Sequence, residues 1–391
     1  MRRRLVSPRG NGVSNRKVDV MKEQVIVGAG LSGLVAAINL AREGYQVLVR
    51  ERRAVVGGEI DIKGLEGKVI NIGDGTPIKL DRLRSYIGID LTPVAVPLKS
   101  ARNHVYGKTF DFDFYPKVPT YLVERGPRST SLDVYLYKIA AAEGVEFRFN
   151  DTVTDFGGLP PDTIIATGLF GEAWGALDVP HMPVYGYLAM SQTDDTSPKV
   201  IIYFDEYTRD YAFYSQVNGA CGACLFSRGK PLDVSVKERF ERQLAENDGI
   251  GFDEWDAVNI GALPVEHARN PRLFAKNFIL AGTLSGSIDP LLLFGVHGAL
   301  VSGKVAAIAV SDHRKGLEEF QRINRQFKRG FYASVVYHHI PMPLLKRLAW
   351  QGVKNYPKMA PLLGDRFFGL VPGFRSLLGA VSEGGLSDRH A

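Results

Sequence analysis

Residues 25–51 read VIVGAGLSGLVAAINLAREGYQVLVRE, and this stretch leaves few folds open to the chain. Val25-Ile26-Val27 is a short apolar run of the kind that forms a buried parallel strand. Gly28-Ala29-Gly30-Leu31-Ser32-Gly33 follows with no spacer, then an Ala/Leu-rich helical stretch with Gly44 where its C-terminus is due. A second apolar run, residues 45–49, ends at Glu51. Strand, glycine turn, helix, strand and acid in this register make a dinucleotide-binding unit. Gly28 permits the tight turn, Gly30 lets the backbone approach a pyrophosphate, and Gly33 lets helix and strand pack closely. The helix start at Leu31 and Ser32 offers free N–H groups and a positive dipole end to phosphates. Glu51 can accept hydrogen bonds from ribose hydroxyls. A glycine-rich turn without a ligand would share the glycine pattern alone; the strand, helix and acid in register favour a bound dinucleotide.

Three further segments narrow the choice of dinucleotide. After Glu51 and Arg52 a glycine pair, Gly57-Gly58, lies six residues beyond the acid. Residues 161–168 read PDTIIATG, an apolar strand ending in Ala166-Thr167-Gly168. Residues 277–283 read NFILAGT, and Gly282, Thr283, Pro290, Gly295, Gly298 and Ser302-Gly303 follow in a strand, loop and glycine-rich helix start. In this order the segments resemble the signatures of FAD-dependent oxidoreductases related to glutathione reductase, and within them the geranylgeranyl reductase-like branch. The front half also resembles amine oxidases and carotenoid desaturases. The resemblance covers about residues 22–312 and implies FAD as cofactor. It implies that Gly28, Gly30, Leu31, Ser32, Gly33, Glu51, Arg52, Gly57, Gly58, Thr167, Gly168, Gly282, Thr283, Gly295 and Gly298 hold it. The segment RGPRSTSLDVYLYKIAAAEG, residues 125–144, is similar to a helix of that branch whose arginine approaches the flavin, a role carried here to Arg128; a surface ion pair is the plainer alternative. Two positions depart from the family pattern. Glu59 stands where it has an arginine, and Thr283 where it has the aspartate that holds the ribityl chain; a threonine hydroxyl can still hydrogen-bond.

A chain of 391 residues can bury more than one core. Its charge is uneven: residues 1–20 carry +5, residues 313–391 carry +8, and the body between them −7. An acidic body with a basic tail argues against general nucleic-acid binding and turns the tail toward something anionic, such as a phospholipid surface. Two cysteines in this length imply no disulfide framework and fit a reducing compartment.

Residues 1–21 lack periodicity and an apolar core, so a disordered basic start is expected rather than a secretory signal; Met21 is an alternative start. Residues 61–100 read as short strands followed by a helix over 80–87. Phe110, Phe112 and Phe114 alternate with Asp111 and Asp113, a strand pattern whose aromatic face either packs on a core or lines a substrate wall. Ser129 or Thr130 is a fitting cap for the helix that follows. Residues 180–270 show strand runs at 184–189, 199–204, 211–216 and 220–227, with one helix over 236–247. Cys221 and Cys224 lie three apart in a strand, so they face opposite sides and read as structural rather than redox-active. No second cysteine pair exists to complete a metal site. His297 starts the helix over 298–310, whose N-terminus can point at a flavin; the histidine is either a proton donor or a capping group.

Residues 313–391 mix leucine, phenylalanine and Trp350 with lysine and arginine, and no run reaches the roughly 18 apolar residues of a spanning helix. Short basic amphipathic helices over 331–380 suit a peripheral membrane contact, a helical cap on the body, or a dimer surface. The expected architecture is α/β: a discontinuous Rossmann-like FAD domain (22–100, 125–178, 271–312), an inserted antiparallel substrate sheet (101–124, 179–270), and a C-terminal helical region (313–391). The expected activity is flavin hydride transfer to or from a carbon–carbon double bond of a hydrophobic, isoprenoid or lipid-like substrate. A flavin monooxygenase of an apolar compound and a non-catalytic flavin-binding or membrane-adaptor protein are the alternatives. No second GxGxxG follows a strand, so no dedicated NAD(P)H domain is expected and the electron donor stays unnamed. The expected location is the cytoplasm, at the membrane surface if the tail meets lipid.

Overall fold

The apolar run at the head of the nucleotide motif is the strand Glu23–Val27, inside a six-stranded sheet. The computed structural model describes residues 22–60, 68–114, 119–169, 172–264, 271–363 and 368–378; the basic start expected over 1–21 lies outside them, as do residues 379–391 and the side chain of Glu59. The sheet runs Glu146–Arg148, Gln46–Arg50, Glu23–Val27, Ile164–Ile165, Phe278–Leu280, Phe274–Ala275, parallel except for the last pair. Side chains alternate across it. Ile26, Ile164 and Ile279 join the core under the helices Leu31–Arg42 and Val296–Ser311. Val27, Ile165 and Leu280 join a second core with Trp174 and Phe156. Both faces are covered, which is why these strands read as continuous apolar runs.

The two helices meet backbone to backbone. A Cβ on Gly303 would lie 2.4 Å from the Ser32 carbonyl oxygen of the other helix, and one on Gly33 would lie 2.0 Å from that of Gly28 in the turn before its own helix. No side chain fits in either gap.

Most of the expected insert forms a seven-stranded sheet in the order Asp256–Leu263, Met182–Gln192, Ala220–Arg228, Ala212–Val217, Lys199–Phe204, Ser100–Val105, Lys108–Asp113. Only the Lys199–Phe204 and Ser100–Val105 pair is parallel. One face carries Ile201, Tyr203, Tyr214, Cys221 and Leu225 and is covered by the helix Val234–Asp248. Cys224 sits on the opposite face with Leu188 and Phe226. Both thiols are free and buried. Burial raises both pKa values, that of Cys224 to about 12, so neither offers a ready thiolate.

The strand Thr120–Arg125 does not join this sheet. It pairs with Ile72–Pro77 and Ala95–Pro97 in a small sheet on the nucleotide side. This small sheet abuts the large one where Gly73 meets Val217. The helix Leu80–Ile87 forms as its spacing indicates. The helix after Arg125 begins later than expected: Ser131, not Ser129 or Thr130, caps Leu132–Ala142, its hydroxyl accepting from Val134 N at 3.1 Å.

The tail folds back over the body as the helices His313–Ile323, Phe327–His339 and Met342–Leu363. Trp350 Nε1 donates to Val105 O at 3.2 Å, and the Lys108 ammonium lies 4.4 Å from the Trp350 ring centroid. Arg209 reaches Ile340 O, Arg228 reaches Ser334, and Lys346 pairs with Glu206. Phe368, Val371 and Phe374 then join Phe112, Phe114 and Leu122 in one core. The inner side of the tail is therefore a helical cap.

His297 belongs to this docking. Its ring is 1% exposed, Nδ1 lies 2.9 Å from Pro372 O, and Phe374 packs edge-on 6.0 Å away. Desolvation brings its pKa down to about 4, so the ring is neutral at pH 7 and Nδ1–H donates to the carbonyl.

Two tests follow from this packing. Gly303→Ala should cost about 2 kcal/mol or more by forcing the helices apart, whereas Gly175→Ala, with open space around it, should leave thermal unfolding nearly unchanged. For His297 the folded pKa lies below the unfolded 6.5, so only the unfolded chain gains a proton as pH falls from 6.5 to about 4. His297→Gln should remove that share of acid destabilisation, roughly 3 kcal/mol in all, read as a flatter pH dependence of the urea midpoint.

Candidate functional site

A cavity of about 1100 Å³ opens above the C-terminal ends of the parallel strands and extends under the helical cap. That position is the usual one for a ligand on an open parallel sheet.

Its polar wing is the glycine turn and its neighbours. Gly28 has φ +104°, and a Cβ there would lie 2.6 Å from Ala166 O. Gly30 has no such obstruction: its side-chain position faces open space, with Ala166 O 4.0 Å away. Gly30 is also the N-cap of Leu31–Arg42 and offers no side-chain cap, which leaves the first N–H groups of the helix for a ligand. The buried Glu51 carboxylate accepts from Ala29 N at 2.7 Å and from Arg53 N at 3.0 Å. These bonds hold the acid beside the turn before any ribose is present.

Arg50 forks onto Asp151 at 2.7 and 2.6 Å on the rim. That hydrogen-bonded pairing raises the arginine pKa and lowers the aspartate's. Arg53 lines the same wing, and burial lowers its pKa. Thr167 Oγ1 and Ser215 Oγ are buried at the cavity with no hydrogen-bond partner among the described residues. Unpartnered hydroxyls, an open helix start and a prearranged acid are what a dinucleotide needs, so the residues present fit FAD.

The second wing is apolar. Phe110, Phe112 and Phe114 form one wall, continued by Val200, Ile202 and Phe204 on the adjoining strands. The aromatic stripe thus lines the cavity and packs on a core at once, because Phe112 and Phe114 also touch the tail's Phe368 cluster. Leu345, Leu348, Ala349, Gly352 and Val353 form the roof. They recur at the spacing of one face of Met342–Leu363.

Asp74 and Arg125, from the small sheet, also line the cavity. Arg125 binds Asp133 through Nε and Nη2 at 2.8 and 3.0 Å, and Nη1 lies 3.4 Å from Asp74 Oδ2. Desolvation raises the Asp74 pKa above the usual carboxylate value despite the arginine.

Of the residues named from sequence, the structure brings Gly28, Gly30, Leu31, Ser32, Glu51, Arg52, Gly57, Thr167, Gly168, Gly282, Thr283 and Gly295 to the cavity. Gly33, Gly58 and Gly298 lie behind it in backbone packing, Gly298 against Ser287 O. Arg128 is also away from the lining: it pairs with buried Glu124 at 3.2 Å and donates to Asn218 O at 2.7 Å. Arg125, three residues earlier, occupies the cavity instead. His297 does not reach the cavity, which leaves it the structural role described above. Arg53, Asp74, Arg125 and Asp151 line the cavity without having been singled out from the sequence, where no local spacing marks them. Among the described residues no cluster could hold a metal ion.

Residues 26–76 match the NAD(P)-binding Rossmann-like domain family. Protein FixC of Escherichia coli (strain K12) is 44% identical over 63 residues, 15% of this chain and 15% of FixC. A 1-hydroxycarotenoid 3,4-desaturase from a Flavobacterium species is 40% identical over 53 residues, 14% of this chain and 11% of the desaturase. The matched stretch is thus a small part of either relative. Solved structures match over most of the chain. A geranylgeranyl bacteriochlorophyll reductase-like protein from Thermoplasma acidophilum has a TM-score of 0.62 at 17% identity, over 84% of this chain and 91% of its own. CtdE in complex with FAD and a substrate gives 0.57 at 15% identity, over 90% and 98%. A 2-methyl-3-hydroxypyridine-5-carboxylic acid oxygenase gives 0.54 at 14% identity, over 91% and 96%. At these identities the likeness is one of fold, and the chain has the α/β fold of the FAD-dependent oxidoreductases, a Rossmann-like domain with an inserted antiparallel sheet and C-terminal helices.

Proposed function

We propose that this chain is an FAD-dependent oxidoreductase acting on a carbon–carbon double bond of a hydrophobic, isoprenoid- or lipid-like substrate. The observation that carries the reading is the continuity of the cavity: one end offers nucleotide-binding backbone and Glu51, the other an apolar wall of Phe110, Phe112, Phe114 and Phe204. A cofactor and an apolar chain can then share one dry space.

The pyrophosphate would lie against the helix start at Gly30–Ser32, with Glu51 taking the ribose hydroxyls. Thr167, Gly282, Thr283 and Gly295 line the far side of the same wing. When bound, the flavin supplies hydride chemistry at N5. The chain's residues position the substrate, exclude water and supply a proton. Phe110, Phe112 and Phe204 hold an apolar chain by burial and leave it few rotamers. Asp74 is the proton-holding group: it lines the cavity, desolvation favours its neutral form, and Arg125 fixes its Oδ2. An alkene taking hydride at one carbon needs a proton at its neighbour, and Asp74 would give it.

A monooxygenase is the second reading, because an oxygenase shares the fold over most of the chain. Both readings predict a flavin absorption spectrum from the purified protein. The alkene reading predicts slow reoxidation in air after anaerobic reduction and no hydroxylated product; rapid oxygen consumption with NAD(P)H would favour the monooxygenase. A protein that takes up no flavin even with added FAD overturns both. Asp74→Asn should leave the flavin spectrum unchanged and lower turnover about 100-fold. Because the Asp74 pKa is raised, the competent protonated form persists to higher pH, and wild-type turnover should fall as pH rises through it. An unchanged rate and pH profile in Asp74→Asn would remove Asp74 from the mechanism.

A further inference from the structure

The cap helices have an outer side that the cavity does not use. On Phe327–His339 the exposed residues Tyr332, Val335 and Val336 form one stripe, Val336 being 62% exposed. On Met342–Leu363, Leu344 and Leu348 are about half exposed. These five are most of the large apolar side chains that the described residues leave exposed. Single exposed leucines are unremarkable, but concentration on two consecutive helices is not.

Charge marks the same place. Residues 327–363 contain six lysines and arginines and no aspartate or glutamate. Lys328, Arg329, Arg347 and Lys354 are exposed. Lys346 is half-buried and paired with Glu206. By helical spacing, Lys328 continues the stripe of Tyr332, and Arg347 stands between Leu344 and Leu348 on the turn they share. An apolar stripe fringed by unopposed cations is the pattern of a helix lying in the headgroup region of an anionic bilayer. The segment 1–20 carries +5 and would be repelled from this surface. None of the described helices is long and apolar enough to cross a membrane, so the contact would be superficial.

Leu348 joins the two sides. It lines the cavity and is 50% exposed, so the apolar wing reaches the surface at this helix. Leu345, one residue from the outer Leu344, is buried in the roof.

We infer that the outer face of residues 327–355 docks on an anionic lipid surface and that the cavity opens to the bilayer beside Leu348. The docking surface stands on side chains that the functional reading does not use; only the role of the opening as a substrate entrance rests on that reading.

The test uses the full-length, flavin-loaded protein and vesicles of phosphatidylcholine with or without phosphatidylglycerol. Co-sedimentation is expected with the anionic vesicles, weakening as salt is raised and weak with phosphatidylcholine alone. The double variant Tyr332→Ser/Val336→Ser should bind anionic vesicles about tenfold more weakly, with flavin spectrum and thermal unfolding unchanged. Lys328→Gln/Arg329→Gln should lower the salt sensitivity. No vesicle binding by the flavin-loaded wild type, or equal binding by the serine variant, overturns the inference. So does a wild-type dimer that the serine variant converts to monomer without loss of vesicle binding, since the stripe would then be a contact between copies. A protein without flavin that still binds vesicles would sink the proposed function and leave the docking surface standing.

Discussion

Crowding of main chain against main chain at the glycine turn fixes the frame on which the rest depends. Three carbonyl oxygens sit where side chains would otherwise begin: Ala166 O beside Gly28, Gly28 O beside Gly33, and Ser32 O beside Gly303. The first sets the turn against the neighbouring strand. The second draws the helix Leu31–Arg42 onto its own turn, and the third draws Val296–Ser311 onto that helix. Interiors are close-packed and do not deform smoothly, so one added methyl at this node would shift two helices and a sheet together. The node also leaves the helix start open at the strand ends, with Glu51 held by the backbone of Ala29 and Arg53.

Short-range features of this frame were legible in the sequence. The glycine turn, the acid, the helix Leu80–Ile87 and the strand Lys199–Phe204 follow from periodicity and residue type alone. What sequence spacing could not give was direction across a turn. Gly126 has φ +125° and Ser131 caps the following helix, so the chain reverses between Arg125 and Leu132. Arg125 thereby lines the cavity, and Arg128, to which the resemblance carried a flavin contact, makes the alternative ion pair, with Glu124. Long-range pairing was equally hidden. The strand Ser100–Val105 lies parallel to Lys199–Phe204, about a hundred residues later in the chain. The phenylalanine stripe became a cavity wall only because of that pairing. His297 looked chemical because it starts a helix near the expected flavin; the covering segment at Pro372 and Phe374 could not be anticipated from local pattern.

The cavity joins two environments that would ordinarily exclude each other. Beside Phe110, Phe112 and Phe204 an unpaired charge is costly. The charges that approach this wing are accordingly tied: Arg125 to Asp133 and Asp74, and the Arg228–Asp210 pair beneath the cap. The same desolvation that favours a neutral Asp74 keeps Cys224 a thiol, although it lines the same cavity. Desolvation thus raises both groups, holding the Asp74 proton above the usual carboxylate range and keeping the Cys224 sulfur protonated, which argues against dithiol chemistry for the Cys221–Cys224 pair.

The cap helices explain why the tail's composition looked ambiguous. A helix buried on one side needs apolar residues at one spacing, and Met342–Leu363 supplies them at Leu345, Leu348, Ala349, Gly352 and Val353. Leu344 falls outside that set and is exposed, as are Tyr332, Val335 and Val336 on the preceding helix. A cap serving only to close the cavity would gain solubility from polar residues at those four positions, each of them at least 40% exposed. Their apolar character, on helices that carry cations and no carboxylate of their own, has no explanation in the packing of the body. It does have one if the cap closes the cavity on its inner side and meets an anionic, apolar phase on its outer side, because Leu348 then borders both.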